Sequence, residues 1–215
     1  MKSLKIVGIA LSFLFIACSN KEDSFNTYFE GKIVYQLSFI PKSPEVDTNL
    51  LRKKMGIFTT YYFKKGNYHQ VDNNESLSEE YGFEKDNKIY SRNYRSDTLF
   101  WHDKTIPEKI SSYEKFNKVD RVLDISCDEL VTKLDRREIS YYYNRDTLKI
   151  DPRWFINFKY LTKDETSTIM GSLFLKCKLD YARITIILTA IAISPEKLDD
   201  SLFELPKNSI IVKRL

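Results

Sequence analysis

Alternation of apolar and polar residues is the main pattern of this chain, and it predicts a protein built largely from β-strands. The first clear example is residues 30–40, where Ile33, Tyr35, Leu37 and Phe39 alternate with mainly polar neighbours. A period of two places these four side chains on the same face of a strand. We therefore predict a first strand whose apolar face packs on a core.

The same alternation recurs along the chain and predicts a long antiparallel meander. Turn sequences such as Lys65-Gly66-Asn67 and Asn144-Arg145-Asp146 separate the segments, and these residue types suit tight turns. The further predicted strands are 57–64, 68–72, 80–84, 88–94, 97–102, 119–127, 130–134, 139–144, 147–150, 173–179, 182–194 and 210–212. Residues 105–118 contain Pro107 and few apolar side chains, so we expect a loop or a short helix there.

One segment after the first strand has a helical period. The apolar residues of Val46–Met55 fall near one face of a helix, with Ser43-Pro44 suited to its start and Gly56 to its end. We predict an amphipathic helix that packs on the sheet, with a membrane-surface or partner helix as the less common alternative. A short helical turn is also predicted after Asp151-Pro152, and Thr162 begins a capping-box pattern.

The strand predicted over residues 182–194 is apolar in both of its alternating sets. Ile184, Ile186 and Leu188 fall on one face, whereas the residues on the other face are Ile187, Ile191 and Ile193. Strands that are buried on both faces lie at the centre of a covered sheet. We therefore expect this strand to be central and to be covered on both sides.

The N-terminus has the layout of a secretory signal. Lys2 and Lys5 precede an apolar run, Ile6–Ala17, that is shorter than the ~20 residues needed to span a bilayer. The segment Leu14-Phe15-Ile16-Ala17-Cys18 resembles the lipobox of bacterial lipoproteins, although Phe15 stands where that family usually has Leu. The resemblance implies that the Cys18 thiol is acylated and that cleavage makes Cys18 the new N-terminus. An uncleaved membrane helix and a soluble secreted protein cut near Ala17 are the alternatives.

This interpretation divides the chain into three parts. They are a signal peptide over residues 1–17, a lipidated tether over 18–28 and a single β-rich globular domain over 29–215. The tether is polar, and its Lys21-Glu22-Asp23 group resembles the acidic tag of some surface-displayed lipoproteins. We expect a cell-envelope protein held by lipid to the outer membrane, at its periplasmic face or at the cell surface.

Composition supports a globular domain and argues against nucleic-acid binding. Hydrophobic residues make up 42% of the chain and charged residues 30%, as in globular proteins. The formal net charge of +4 falls to +2 when Lys2 and Lys5 leave with the signal peptide. A nearly neutral domain lacks the basic surface that binds phosphate backbones.

Cys127 and Cys177 are the two cysteines that remain after Cys18 is assigned to lipid. In an exported protein they could form a disulfide, and closing a loop of about 50 residues would stabilise the fold by ~4 kcal/mol. Both also lie on apolar faces of alternating runs, where free thiols pack as small hydrophobic groups. The sequence leaves both possibilities open.

Motifs for catalysis, metals and cofactors are absent from the sequence. The two histidines, His69 and His102, have no cysteine or acid cluster at metal-ligand spacing, and no Gly-x-Ser-x-Gly or glycine-rich phosphate loop occurs. The adjacent acids Glu79-Glu80 and Asp199-Asp200 are interpreted as solvated surface. We expect no catalytic residues, no metal and no cofactor, and a protein that is not an enzyme.

Two aromatic clusters, Tyr61-Tyr62-Phe63 and Tyr141-Tyr142-Tyr143, could form a platform for a ligand. Alternate rings of such clusters point to opposite faces of a sheet, which is also the pattern of ordinary cross-strand packing. We favour ordinary packing for each single ring.

The order of elements and the two ends of the domain resemble the superfamily of the LolA and LolB lipoprotein carriers. The matching ends are Glu30–Tyr35, with sequence EGKIVY, and Asp199–Pro206, with sequence DDSLFELP. The resemblance implies an incomplete antiparallel barrel, closed on one side by helices, around an apolar cavity that takes acyl chains in the carriers. The expected fold is α+β and mostly β, with an antiparallel sheet curved into an incomplete barrel covered by one amphipathic helix and short helical turns.

Two functions follow from these expectations. The first is an envelope lipoprotein that binds an apolar ligand, such as a lipid or an acyl chain, in a half-barrel cavity. The alternative is a non-enzymatic structural or interaction subunit of an envelope complex, with a solid core and an exposed apolar patch. A hollow inner face of the sheet would support the first, and a filled one the second.

Overall fold

Twelve strands form one sheet in the computed structural model, which describes residues 28–75, 78–93 and 96–214. The predicted signal peptide, Cys18 and most of the tether lie outside these residues. The strands are β1 (Gly31–Pro41), β2 (Phe58–Lys64), β3 (Asn67–Asp72), β4 (Ser78–Gly82), β5 (Lys88–Asn93), β6 (Thr98–Asp103), β7 (Ile110–Val122), β8 (Ile125–Leu134), β9 (Glu138–Tyr143), β10 (Phe174–Asp180), β11 (Ile184–Pro195) and β12 (Ile210–Lys213).

The strand order is β12-β6-β5-β4-β3-β2-β1-β11-β10-β9-β8-β7. Neighbouring strands are antiparallel except β12, which pairs parallel with β6. The sheet curves around its core and does not close, because β12 and β7 remain as its two edges. The predicted fold, a mostly β, α+β structure with an antiparallel sheet curved into an incomplete barrel, is confirmed.

The centre of the sheet is the pairing of β1 with β2 on one side and β11 on the other. The alternation predicted for β1 is confirmed, since Ile33, Tyr35, Leu37 and Phe39 are all buried. The position predicted for the strand after residue 182 is also confirmed. Its expected burial on both faces is wrong, because Ile191 on the outer face is 41% exposed.

The amphipathic helix is present as α1 (Thr48–Met55), about one turn shorter at its start than predicted. The Asp47 side chain accepts hydrogen bonds from two backbone N–H groups of the first turn and therefore caps the helix. Leu51 and Met55 pack on Phe39 and its inner-face neighbours. The helix covers the inner face only where β1 ends and β11 begins.

The edge hairpin β7–β8 differs most from the prediction. Residues 105–118 were expected to be a loop or short helix, but β7 is a strand of 13 residues. The segment 119–127, predicted as a single strand, is divided between the end of β7 and the start of β8. The turn between them is Leu123-Asp124, where both residues have positive φ, 50° and 61°. Most side chains of β7 are exposed, so this strand has no apolar face and its sequence lacks the alternation on which the prediction depends.

Helical segments after β9 cover the rest of the inner face. They are a 3-10 turn at Pro152–Phe155, as predicted, a second 3-10 turn at Tyr160–Thr162 and the helix α2 (Lys163–Met170). The Thr162 side chain does not cap α2 and instead donates to the Leu161 carbonyl, so the capping box does not form. The strand predicted over 147–150 is reduced to one bridge, between Lys149 and Ser172.

None of the helices in the described ranges is long and apolar enough to cross a membrane.

Candidate functional site

A cavity of about 210 Å³ lies between α2 and the inner face of the sheet. Its walls come from seven adjacent strands, β4, β3, β2, β1, β11, β10 and β9, in that spatial order. Each of these strands supplies between one and three side chains, so the cavity depends on the curvature of seven of the twelve strands. The other half of the inner face is filled by a core that includes Phe63, Phe155 and Leu148.

The polarity of the cavity wall changes along the strand order. At the β2–β4 end the sheet contributes Thr59, Gln70 and Glu80. At the β9–β11 end it contributes apolar side chains, namely Ile139, Leu179 and Leu188. Helix α2 lies across the same strands, with its first residue, Lys163, near Tyr61 and Tyr68 and its last, Met170, near Ile139 and Tyr141. The cavity therefore has one polar end and one apolar end.

The ammonium group of Lys163 lies among four aromatic rings at the polar end. Its Nζ is 4.7 Å from the ring centre of Tyr68, 4.8 Å from Phe158, 5.0 Å from Phe155 and 5.6 Å from Tyr61. The same nitrogen donates a hydrogen bond of 3.2 Å to the Tyr61 hydroxyl. No carboxylate in residues 28–75, 78–93 or 96–214 forms an ion pair with it.

Burial controls the charge of Lys163. Desolvation by the surrounding rings lowers the pKa of its ammonium group to about 8, and the nearby charge of Lys104 lowers it further. The carboxylate of Glu80 acts in the opposite direction but does not cancel the effect of burial. Lys163 is therefore mainly cationic at neutral pH and loses its proton more readily than an ordinary lysine.

Glu80 is the acidic group nearest this cation. The Tyr68 hydroxyl donates a hydrogen bond of 2.7 Å to one carboxylate oxygen. Burial raises the pKa of the Glu80 carboxyl, while the hydrogen bond from Tyr68 and the charge of Lys163 lower it. Glu79-Glu80 was interpreted as solvated surface, which is wrong. Glu79 is buried on the other face and pairs with Arg92 at 2.7 Å, whereas Glu80 lines the cavity.

Neutral groups line the middle and the apolar end. The Tyr35 hydroxyl donates a hydrogen bond of 2.8 Å to the Phe174 carbonyl, and burial raises the pKa of Tyr35 far above its ordinary value. Burial also raises the pKa of the Cys177 thiol to about 12. Both side chains therefore stay uncharged, and the far wall of the cavity behaves as an apolar surface.

A second, more open polar groove adjoins the cavity at Gln70 and Glu80, which line both spaces. Its other walls include Asp72, Asn93 and Arg214. The polar end of the cavity is therefore the end that lies next to solvent-accessible polar surface, and the apolar end is enclosed by α2 and the sheet.

Cys127 and Cys177 are both free and buried. They belong to different core clusters. Tyr141 in β9 pairs with Cys177 in β10 on one side and with Leu130 in β8 on the other. Cys127 precedes Leu130 by three residues along β8, so it lies two strands across and three residues along from Cys177. This register separates the two Cα atoms by at least about 10 Å, whereas a disulfide requires less than ~7 Å. The geometry favours the interpretation of two thiols packed as small hydrophobic groups.

The two histidines lie away from the cavity. His69 stacks on Tyr81 with ring centres 4.2 Å apart, and burial lowers the pKa of its imidazole. His102 packs edge-on against Tyr160. Within the described part of the chain, no group of three or more His, Cys, Asp or Glu side chains could hold a metal ion.

The aromatic clusters divide between the two faces of the sheet, as the alternation predicts. Tyr61 and Tyr141 point inward and line the cavity. Tyr62 packs against His69, and Tyr142 lies under the ammonium group of Lys176 at 4.7 Å. The sequence analysis did not identify Lys163 or Glu80 as site residues. The only available signal was that Tyr68 and Glu80 each begin a predicted strand, over residues 68–72 and 80–84.

Comparison with known proteins adds a few distant likenesses. No protein-family model and no curated protein sequence matches the chain. Two crystal forms of PNGF-II are similar over 86% of this chain, with 15% and 17% identity and TM-scores of 0.38 and 0.37, but the match covers only 32% and 31% of the PNGF-II chain. The Mycobacterium tuberculosis lipoprotein LppX is similar over 79% of this chain and 89% of its own, with 7% identity and a TM-score of 0.37. At these scores the likenesses assign no function.

Proposed function

We propose that the protein is a lipid-anchored lipoprotein of the bacterial envelope that binds an apolar ligand in its half-barrel cavity. The observation that supports this proposal is the hollow between α2 and the inner face, with Ile139, Leu179, Leu188 and Met170 in its wall. Well-packed cores contain few voids larger than a water molecule. A hollow of this size therefore favours a binding role over a purely structural one.

The size of the cavity limits the ligand. Pockets for drug-sized ligands measure ~300–1,000 Å³, whereas this cavity measures about 210 Å³. An apolar cavity of ~150 Å³ holds one benzene molecule. The ligand that we propose is accordingly a small apolar molecule or one acyl chain, and a whole multi-chain lipid would not fit inside.

An interaction role is the second candidate, and β7 is the feature that favours it. This long edge strand exposes Tyr113, Phe116 and Val119, which are 53%, 42% and 47% accessible. An unpaired edge with exposed apolar side chains can pair with a strand of another protein. Crosslinking from Phe116 in intact cells would return one consistent protein partner if this second role is correct.

Extraction of the native protein tests the binding role. We expect organic extracts of the purified protein to contain a co-purifying acyl-chain molecule, detected by mass spectrometry. Leu188→Trp should reduce its amount at least several-fold, because the larger ring fills the cavity. Ile191→Trp is the matched control, since it adds the same ring to the exposed outer face of the same strand. Absence of any ligand from the wild-type extract, or equal amounts in both variants, would contradict the proposal.

A further inference from the structure

The cavity contains a cation that forms no ion pair with any of the described residues. Lys163 lines the cavity, its nearest polar partner is the neutral Tyr61 hydroxyl, and no ion pair to it occurs among the described residues. A buried charge is costly unless it is paired. The aromatic rings offset part of this cost through cation–π attraction, but an anion in the cavity would offset more of it.

The nearest acidic side chain does not occupy that role. Glu80 is held by the Tyr68 hydroxyl and makes no ion pair with Lys163. The Gln70 amide at the same end donates to Asp72 at 3.0 Å. The polar end of the cavity thus presents one ammonium group without an ion-pair partner among the described residues, the Glu80 carboxylate held by Tyr68, and neutral hydroxyl and amide groups.

The rest of the cavity has the character of a site for a hydrocarbon chain. From Lys163 the wall passes Tyr35 and Phe174 and ends at Ile139, Leu179 and Leu188. Charged side chains of the described residues line the cavity only at the Lys163 end, where Glu80 also lies. A ligand that matches both ends has one polar, negatively charged end and one apolar end.

We propose that the ligand is a single-chain amphiphile with an anionic head group, of the fatty-acid class, bound with its head at Lys163 and its chain towards Ile139, Leu179 and Leu188. This inference rests on the proposed function, because it names the ligand class for the same cavity. By comparison with the ~150 Å³ cavity that holds the six carbons of benzene, the enclosed part accommodates about eight carbon atoms.

Lys163 also sets the orientation of the ligand. The head lies where the cavity adjoins the polar groove at Gln70 and Glu80, so it can remain partly hydrated. The chain then enters the enclosed apolar end, where burial of each methylene group strengthens binding. The reverse orientation would bury the charge among aliphatic side chains and leave Lys163 unpaired.

The test compares ligands of equal chain length that differ only at the head. A chain from Ser19 to Leu215 keeps every described residue, and all twelve strands belong to one sheet with its own core. Octanoate, octanol and octyl phosphate are titrated into this protein by calorimetry at pH 7. The same titrations are made on Lys163→Met and on Lys207→Met, in which an exposed lysine is replaced as a control.

We expect octanoate to bind wild type roughly 10- to 100-fold more tightly than octanol, as for a buried pair of opposite charges. In Lys163→Met this preference should disappear while octanol binding remains, and Lys207→Met should behave as wild type. Lys163→Gln, which keeps a polar side chain, should also lose the preference. Octyl phosphate separates the two possible heads: the anion that binds more tightly identifies the head as carboxylate or phosphate.

Two outcomes would overturn the inference, and they can be told apart. If octanol and octanoate bind wild type equally, the cavity binds apolar chains but does not recognise an anion, so the proposed function stands without this inference. If none of the three ligands binds, the cavity is not an acyl-chain site and both proposals fail.

Discussion

The ammonium group of Lys163 makes the stability of the protein depend on pH. Its pKa is lowered to about 8 in the folded protein, whereas an unfolded lysine titrates near the model value of 10.5. Between these two values the unfolded chain binds a proton that the folded protein does not. Stability therefore increases with pH in this window, and below pH 8 the fold carries the full cost of the buried charge.

Replacing Lys163 with Met should therefore stabilise the protein at pH 7. A lowering of the pKa by about two units corresponds to roughly 3 kcal/mol, and Met retains the length and apolar contacts of the lysine stem. We expect the free energy of urea unfolding to exceed that of wild type by ~2–3 kcal/mol at pH 7 and by less than half of that at pH 10. A variant that is less stable than wild type at pH 7 would show that the ring contacts outweigh desolvation.

The two core cysteines give a prediction about thiol chemistry. Burial raises the pKa of the Cys177 thiol to about 12 and also raises that of Cys127. Because the thiolate is the reactive form, we expect native Cys177 to react with iodoacetamide at pH 8 about 1,000-fold more slowly than a free thiol. In denaturant without reductant, a chain that starts at Ser19 should show two titratable thiols. A count of zero would show a disulfide between them.

At the scale of elements, the β7–β8 turn requires a backbone conformation that its residues adopt at an energetic cost. Leu123 and Asp124 both have positive φ, a region that Asn and Gly tolerate and Leu does not. The Leu123 side chain is 44% exposed, so its burial offsets little of the cost of the positive φ.

Leu123→Asn should therefore raise the free energy of unfolding by about 0.5–1 kcal/mol. Urea unfolding would measure the change, and Leu123→Ala is the matched control, because Ala removes the same side chain but keeps the penalty for positive φ. A loss of stability in Leu123→Asn equal to that in Leu123→Ala would contradict this explanation.

The contrast between β1 and β7 explains how far strands are predictable from this sequence. In β1 one face is buried, so selection of apolar residues at Ile33, Tyr35, Leu37 and Phe39 leaves a visible alternation. In β7 neither face is covered, and no alternation results. Edge strands of this kind are formed by pairing with a neighbour, which the sequence of the strand itself does not encode.

The site was less predictable than the sheet for a related reason. Alternation alone placed Tyr61 and Tyr62 on opposite faces of the sheet, and it did the same for Tyr141 and Tyr142. Lys163 reaches the Tyr61 hydroxyl across 102 residues of sequence, and this contact depends on the angle at which α2 crosses the strands. A single lysine at the start of a polar helix normally faces water, so nothing local in the sequence distinguishes it.

At the scale of the whole molecule, the proposed anchor joins the domain at the centre of its sheet. The chain enters the domain at Phe29 and then continues into β1. The backbone N–H of Phe29 donates a hydrogen bond of 2.7 Å to the Lys149 carbonyl. The eleven residues Cys18–Tyr28 are joined by ten Cα–Cα steps, which extend at most ~35 Å. The tether that we propose would therefore hold the cavity within one protein diameter of the membrane.

Cys18→Ser tests this arrangement. Without acylation, we expect most of the protein to move from the membrane pellet to the soluble fraction of lysed cells, because the lipid on Cys18 is the membrane attachment that we propose. Wild type and the exposed-site variant Lys207→Met should both remain in the pellet. Full retention of Cys18→Ser in the pellet would contradict the lipoprotein assignment.

The pairing of β1 with β11 affects how the protein folds during synthesis and translocation. Gly31 is matched with Pro195, so the middle of the sheet needs residues from nearly both ends of the polypeptide. A chain that emerges N-terminus first, from a ribosome or a translocation pore, leaves β1 with a bare edge until most of its length has appeared. Such long-range pairing is slow and exposes strands meanwhile. A holding chaperone at the exit would therefore matter more to this protein than to one whose neighbouring strands are all sequential.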